Sequence, residues 1–172
     1  MPRRPAVLCA LAVLMSLLPV LAVPAADTGQ QGSVTGLPIP RFVSLRPDEV
    51  NLRTGPGLRY PVDWVYQRAG LPVEVIGEYG TWRQIRDHTG TQGWVHQVML
   101  QGRRTARIIG SEPRLLRRRP KTGARPAAML EPGVIARLEV CRERWCRLSV
   151  DDHTGWLPRG QFYGTYPGEP LD

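Results

Sequence analysis

Two closely spaced cysteines are the residues in this chain most suited to chemistry. Cys141 and Cys146 flank four residues in the segment CRERWC. Such a pair could form a redox centre, half of a metal site, a catalytic thiol or a disulfide. A redox pair normally has two intervening residues, and a zinc site needs about four ligands. Only His88, His96 and His153 could complete such a set. The choice therefore depends on the compartment and on the elements that hold the cysteines.

The tetrapeptide DHTG occurs at residues 87–90 and again at residues 152–155. Asp, Thr and Gly favour turns, so both copies are predicted as turns whose histidines need no metal. The sequence shows no paired carboxylates in a helical frame, no phosphate-cradling loop and no nucleophile–base pair. We therefore predict no catalytic residues, no metal and no cofactor.

The N-terminus has the three parts of a secretory signal peptide. Arg3 and Arg4 give a positive start, residues 6–21 form a mostly apolar run, and small residues precede a cleavage site after Ala25. The run is shorter than the ~20 residues that span a bilayer, although an uncleaved anchor is the alternative. The sequence predicts residues 1–25 as a signal peptide and the mature chain as periplasmic or secreted, with no transmembrane segment.

The rest of the chain divides into a linker and two copies of one unit. Residues 26–40 are rich in Gly, Thr, Gln and Pro and are predicted to be a flexible linker. Residues 41–100 then align with residues 104–166, with an offset that falls only from 64 to 62. The anchors are Leu52 with Leu116, Pro56 with Pro120, Gly70 with Gly133, Trp82 with Trp145, and Gly93–Trp94 with Gly155–Trp156. A tandem duplication explains this pattern.

Each copy has the pattern of short β-strands. Apolar residues alternate around Val73 and Val75, and Gly-containing turns follow at close spacing. This pattern favours a small barrel or sandwich. The repeated tryptophans are predicted to form the two small cores, because each can bury a large area; they are Trp82, Trp94, Trp145 and Trp156.

The segments VNLRTGPGLRYPV and GLPVEVIGEYGTW and the closing GWV resemble the bacterial SH3 (SH3b) family. The resemblance covers about residues 42–166 and implies an all-β fold of two tandem small SH3-like barrels. The second copy departs from the motif: Leu115 replaces Asn51, and Arg118–Arg119 replaces Thr54–Gly55. If this loop contributes to binding, the second copy has lost or changed that role.

The resemblance places CRERWC at the tip of a β-hairpin. Paired residues on adjacent antiparallel strands have Cα atoms ~4.5–5.5 Å apart, within reach of a disulfide. After removal of the signal peptide Cys141 and Cys146 are the only cysteines, and an exported protein meets an oxidising compartment. We therefore predict a disulfide, which contributes ~2 kcal/mol in the chain-entropy model.

Four residues of the first copy are predicted to contact a ligand: Arg53, Tyr60, Trp64 and Tyr66. Trp64 and Tyr66 share one face of the chain if this stretch is extended, and the second copy has no aromatic counterpart. These aromatics either line a surface groove or pack the two copies together, and the sequence leaves both possibilities open.

A basic patch lies in the second copy. It carries six basic residues and no acid: Arg114, Arg117, Arg118, Arg119, Lys121 and Arg125. The patch is either a solvated loop or a surface attracted to anions. Export argues against nucleic acid as the partner, although such a patch suits it chemically.

The resemblance implies a non-catalytic binding module of the bacterial cell envelope that recognises peptidoglycan or wall peptides. The alternative is a protein–protein adaptor that places or regulates another envelope protein. A wall hydrolase would need a catalytic domain, for which neither copy leaves room.

Overall fold

The computed structural model describes residues 30–172 as two small barrels whose regular secondary structure is almost entirely β-strand. The predicted all-β fold with two tandem domains is therefore confirmed. The predicted signal peptide and residues 26–29 of the predicted linker lie outside the described residues. No helix between residues 30 and 172 has the length and apolar character needed to cross a bilayer.

The first domain contains seven strands in the order β3-β2-β6-β5-β4-β1-β7. Its strands are β1 (Arg41–Leu45), β2 (Val50–Arg53), β3 (Val62–Tyr66), β4 (Pro72–Tyr79), β5 (Trp82–Arg86), β6 (Gln92–His96) and β7 (Leu100–Gln101). A 3-10 turn over Gln97–Met99 joins the last two strands.

The second domain repeats this topology strand for strand, in the order β10-β9-β13-β12-β11-β8-β14. Its strands are β8 (Thr105–Ile108), β9 (Arg114–Arg117), β10 (Pro126–Leu130), β11 (Ile135–Arg142), β12 (Trp145–Val150), β13 (His153–Pro158) and β14 (Phe162–Tyr163). The duplication inferred from the anchors is therefore a duplication of the fold.

Two anchor glycines have the same steric role in the two domains. A Cβ on Gly93 would lie 2.5 Å from Leu52 Cγ and 2.9 Å from the Arg53 carbonyl oxygen. A Cβ on Gly155 would lie 2.7 Å from both Leu116 Cγ and the Arg117 carbonyl oxygen. Each glycine lets one strand cross close over another, which is why Gly recurs before Trp in each copy.

The cores of both domains are mainly aliphatic and contain none of the four tryptophans, which corrects the prediction that the tryptophans form them. The buried side chains include Leu45, Leu52 and Ile85 in the first domain and Leu116 and Leu148 in the second. All four tryptophans are only half-buried. Side chains alternate between the two faces of a strand. The residues next to each tryptophan point into the core, so the tryptophan itself lies on the outer face. The inward neighbours are Arg83, Ile85, Val95, Cys146, Leu148 and Leu157.

The disulfide prediction is confirmed at the tip of the β11–β12 hairpin. Cys141 and Cys146 are directly paired residues with Cα atoms 4.1 Å apart, and their sulfurs are bonded. Both residues are buried in the second core. The main chain of Cys141 also donates a hydrogen bond to the carbonyl of Leu171, at 2.8 Å. Leu171, near the C-terminus, therefore contacts the hairpin that carries the disulfide.

Residues 30–40, the described part of the predicted linker, are folded against the first domain. Gln31 bridges Pro38, and Ile39 is buried in the first core. The Glu78 carboxylate accepts hydrogen bonds from the main-chain N–H groups of Val34 and Thr35 at 3.0 and 2.9 Å. The segment is poor in large apolar residues, but it satisfies its polar groups on a carboxylate that lies more than 40 residues away in the sequence.

The Glu78 side chain is fully enclosed and holds cations as well as the segment. Thr35 Oγ1 donates to it at 2.7 Å, Arg41 Nη2 donates at 2.9 Å, and Arg83 Nε lies at 3.6 Å. Burial alone would raise the pKa of Glu78, but the hydrogen bonds from Thr35, Arg41 and Val34 lower that pKa to about 2. Glu78 therefore stays ionised at any physiological pH.

Candidate functional site

An open groove lies on the first domain beside its junction with the second. The groove has a volume of about 480 Å³. Its walls come from the end of β3, the start of β4, the loop between β5 and β6, and one residue of β8. The lining residues are Trp64, Val65, Tyr66, Gln67, Arg68, Leu71, Pro72, Val73, Asp87, His88, Thr89, Thr91 and Arg107.

Two of the four predicted ligand residues meet in this groove. Trp64 presents an exposed indole, with 57% of its surface accessible. Tyr66 is buried in the first core and sends its hydroxyl to Asp87 Oδ2, at 3.0 Å. Burial and the neighbouring Asp87 raise the pKa of Tyr66 above its usual range, so its hydroxyl stays protonated. Trp64 therefore offers exposed surface to a ligand, while Tyr66 forms the floor of the groove.

The other two predicted ligand residues lie outside the groove. Arg53 Nη1 donates to the carbonyl of Tyr60 at 2.8 Å and, at 3.4 Å, to that of Leu58. The Tyr60 ring covers Gly55, and Arg59 stacks over the same ring at 5.0 Å from its centroid. Arg53 and Tyr60 therefore hold the β2–β3 loop in shape.

The second domain contains the same brace. Arg117 Nη1 donates to the carbonyl of Ala124 at 2.9 Å, seven residues ahead, as Arg53 does to Tyr60. The arginine is thus repeated because both loops need its guanidinium, even though the loop sequences differ. The presence of this arginine in both copies therefore indicates a structural role in the loop more than a role in binding.

The loop between β5 and β6 carries most of the polar groups of the groove. Asp87 Oδ1 accepts hydrogen bonds from the main-chain N–H groups of Thr89 and Thr91, at 2.9 and 3.0 Å. It also accepts one from Thr89 Oγ1 at 2.7 Å. This Asp-centred turn fixes the backbone of the loop, and Thr89 and Thr91 both line the groove.

The second DHTG is not the predicted turn. His153 begins β13 and pairs with Val150, so the turn consists of Asp151 and Asp152. In the first domain, by contrast, Arg86 pairs with Gln92 and five residues form the loop. A two-residue connection is too short to supply the polar side chains that form the wall of the groove in the first domain. The groove therefore belongs to the first domain although the tetrapeptide occurs in both.

Two arginines give the groove a positive end. Arg68 donates to the Gly133 carbonyl at 3.2 Å, and half-buried Arg107 enters from β8 of the second domain. Among residues 30–172, Arg107 has no ion-pair partner. Burial and the nearby Arg107 charge lower the pKa of His88, against the opposing effect of Asp87. His88 is therefore mainly neutral at pH 7, and the positive charge at this end comes from Arg68 and Arg107.

Aromatic packing and two hydrogen bonds join the domains close to Arg107, which pairs with Tyr163 in the sheet of the second domain. Phe42 packs against Tyr163 and Tyr166, with ring centroids 5.0 and 4.7 Å apart. Thr105 Oγ1 donates to the Gly70 carbonyl at 2.7 Å, and the Tyr163 hydroxyl donates to the Arg86 carbonyl at 3.3 Å. The interface thus uses other aromatics, and of the two possibilities left open for Trp64, the structure shows the groove.

Sequence reasoning missed the charged and polar residues of the groove: Gln67, Arg68, Asp87, His88, Thr89, Thr91 and Arg107. The first DHTG motif suggested His88 as a possible metal ligand, but it did not suggest that the turn forms a wall of the groove. Nothing in the sequence around Arg107 connects it with the other groove residues, which lie between Trp64 and Thr91.

The basic patch divides into two groups. Arg114 and Arg117 donate to main-chain carbonyls of their own domain, those of Ile109 and Ala124. The other four residues are exposed around a separate cavity: Arg118, Arg119, Lys121 and Arg125. This cavity shares no lining residue with the groove.

A family model described as a bacterial SH3 domain matches the chain twice, over residues 46–102 and 111–164. The two matches cover more than half of the chain, which therefore belongs to the bacterial SH3 domain family. Membership indicates a binding module, and domains of this family are often related to the cell wall and commonly extracellular or envelope-associated.

No curated protein matches the chain. Among solved structures, NlpC1 from Trichomonas vaginalis is similar over 78% of this chain and 49% of its own, with 9% sequence identity and a TM-score of 0.34. The present chain spans about half the length of that structure. A likeness of this size says nothing about the activity of this chain.

Proposed function

We propose that this protein is an exported, non-catalytic binding module of the cell envelope whose groove recognises the peptide part of peptidoglycan. The observation that carries the proposal is the meeting of an exposed Trp64 with Arg107 of the other domain in one groove. The signal-peptide pattern of residues 1–25 supports export.

The chemistry of the groove suits a short peptide with free carboxylates. Trp64 and the half-buried Leu71 offer apolar surface for aliphatic parts of a ligand. Arg107 offers a planar pair of donors to a carboxylate, in a position partly shielded from water. Thr89 and Thr91 give one wall a polar surface. Wall peptides combine small aliphatic side chains with free carboxylates, so they match both halves of this surface.

A binding role without catalysis is the simplest use of such a groove. Cys141 and Cys146 are joined, so neither thiol is a nucleophile. Asp87 is committed to the turn and to Tyr66, and its acceptor positions are largely used. The groove residues thus hold a shape and present donors, which is what recognition requires.

Co-sedimentation of the processed protein with purified peptidoglycan across a salt series tests the proposal. Binding that persists at ~0.3 M salt supports specific recognition, because simple charge attraction is largely screened there. Trp64→Ala should weaken binding by at least about tenfold, as expected for the loss of a central aromatic contact. The matched control is Tyr79→Ala, which removes an aromatic that is 65% exposed but lies outside the groove.

Melting temperatures of both variants separate a contact role from a folding role. If Trp64→Ala binds weakly and melts like the wild type, Trp64 is a contact residue. Equal weakening by both variants would contradict a role for the groove. Absence of binding at every salt concentration would reject peptidoglycan and favour the protein–protein adaptor.

A further inference from the structure

The four exposed cations of the second domain surround one cavity. The loop between β9 and β10 forms an open cup of about 670 Å³. Its rim carries Arg118, Arg119, Lys121 and Arg125, and its remaining lining is Thr122, Gly123 and Ala124. No acidic residue lines the cup, and none of the ion pairs among residues 30–172 involves these four cations.

The backbone of the cup is braced from inside the domain. Arg117 Nη1 donates to the Ala124 carbonyl at 2.9 Å, and the main chain of Arg118 donates to the Arg125 carbonyl at 3.0 Å. Within the loop, Ala124 N donates to the Lys121 carbonyl at 3.1 Å. These bonds fix the backbone from which the four cations extend around the cup.

The fold does not require this charge. The equivalent loop of the first domain, residues 54–60, is braced in the same way by Arg53 and contains one cation, Arg59, stacked on Tyr60. The brace is therefore common to both loops, whereas the second loop carries four cations and the first carries one. Because the shared loop structure does not need these exposed cations, their clustering points to a ligand.

We propose that this cup binds a diphosphate group. Guanidinium groups match phosphate oxygens with paired donors, and a lysine adds a point charge. Four cations in one cavity balance the charge of two adjacent phosphates better than that of one carboxylate. The diphosphate could be free in solution or part of a lipid headgroup. This site acts independently of the groove, since the two share no lining residue.

Calorimetric titration with inorganic pyrophosphate at low salt tests the site. The wild type should bind, and Arg119→Gln combined with Lys121→Gln should weaken binding by more than about tenfold, because two charge-assisted partners are lost. The matched control is Arg137→Gln combined with Arg142→Gln, which removes the same charge from exposed positions on β11. Its affinity should stay within about twofold of the wild type.

Two further arms identify the source of the phosphate. Vesicles containing a lipid with a diphosphate headgroup, compared with phosphatidylcholine vesicles, report on the lipid. Citrate, at matched charge, reports on carboxylates. Pyrophosphate binding without vesicle binding assigns a free diphosphate, and binding of both assigns the headgroup. The proposal is overturned if pyrophosphate does not bind, if citrate binds equally well, or if the two double variants lose the same affinity.

Discussion

Substitution of Glu78 by glutamine should release residues 30–40 from the first domain. Glu78 Oε2 accepts the main-chain N–H groups of Val34 and Thr35, and Oε1 accepts Thr35 Oγ1 and Arg41 Nη2. Glutamine keeps only one acceptor oxygen and no charge, so about two hydrogen bonds are lost. Each contributes about 1 kcal/mol net when water can replace it. The attachment should therefore weaken by about 2 kcal/mol, roughly thirtyfold in the opening equilibrium.

Hydrogen–deuterium exchange followed by mass spectrometry measures this opening directly. Peptides that cover residues 30–40 should exchange roughly thirtyfold faster in Glu78→Gln than in the wild type. Peptides of the second domain should be unchanged. Glu112→Gln is the matched control, because it removes one exposed carboxylate that makes no hydrogen bond among residues 30–172. Equal exchange of residues 30–40 in the wild type and Glu78→Gln would refute the carboxylate as the anchor.

Three further perturbations follow from the same structure. Replacing Cys141 and Cys146 by serine should lower the free energy of unfolding by about 2 kcal/mol and leave peptidoglycan binding unchanged; lost binding at an unchanged melting temperature would contradict a purely stabilising disulfide. The pKa of Glu78 is lowered from 4.5 to about 2, so its stabilising effect is complete above pH 4.5 and is lost as the pH falls toward 2. The protection factors of residues 30–40 measure this loss, and a decrease in them already near pH 6 would argue against it. Gly93→Ala places a Cβ 2.5 Å from Leu52 Cγ and should cost about 1–3 kcal/mol in thermal unfolding; wild-type stability would show that the strand crossing has room to spare.

The fold was predictable because the repeated anchors have structural reasons that act locally. Gly93 and Gly155 recur because a Cβ would collide with the crossing strand, and Leu52 and Leu116 recur because both are fully buried. The cysteine pair was equally accessible, since hairpin pairing brings residues of this spacing together.

The tryptophan cores were wrong for a physical reason. Alternation along a strand shows which residues share a face, but not which face points inward. In β5, Arg83 and Ile85 face inward and Trp82 faces outward, because the stem of Arg83 is buried while its guanidinium reaches carbonyl groups and Gln97. A polar residue at an inward position reverses the assignment that hydrophobicity alone would give.

The groove and the folded segment at residues 30–40 depend on contacts between distant parts of the chain. Arg107 reaches the groove because the two domains are joined by contacts such as the packing of Phe42 on Tyr163 and Tyr166. The Gly- and Pro-containing segment has the composition of a linker, and its order comes from Glu78 on β4. Neither pairing has a signal within a local stretch of sequence.

The most direct test of the central claim is an NMR titration of the processed protein with soluble peptidoglycan fragments. The account predicts shifts of the Trp64 indole and of the Arg107 amide, which belong to different domains but to one groove. Arg107→Gln should lower the affinity by about tenfold, as expected for the loss of a charge-assisted hydrogen bond. Shifts confined to the second domain away from Arg107, or fragments that bind Arg107→Gln as tightly as the wild type, would contradict it.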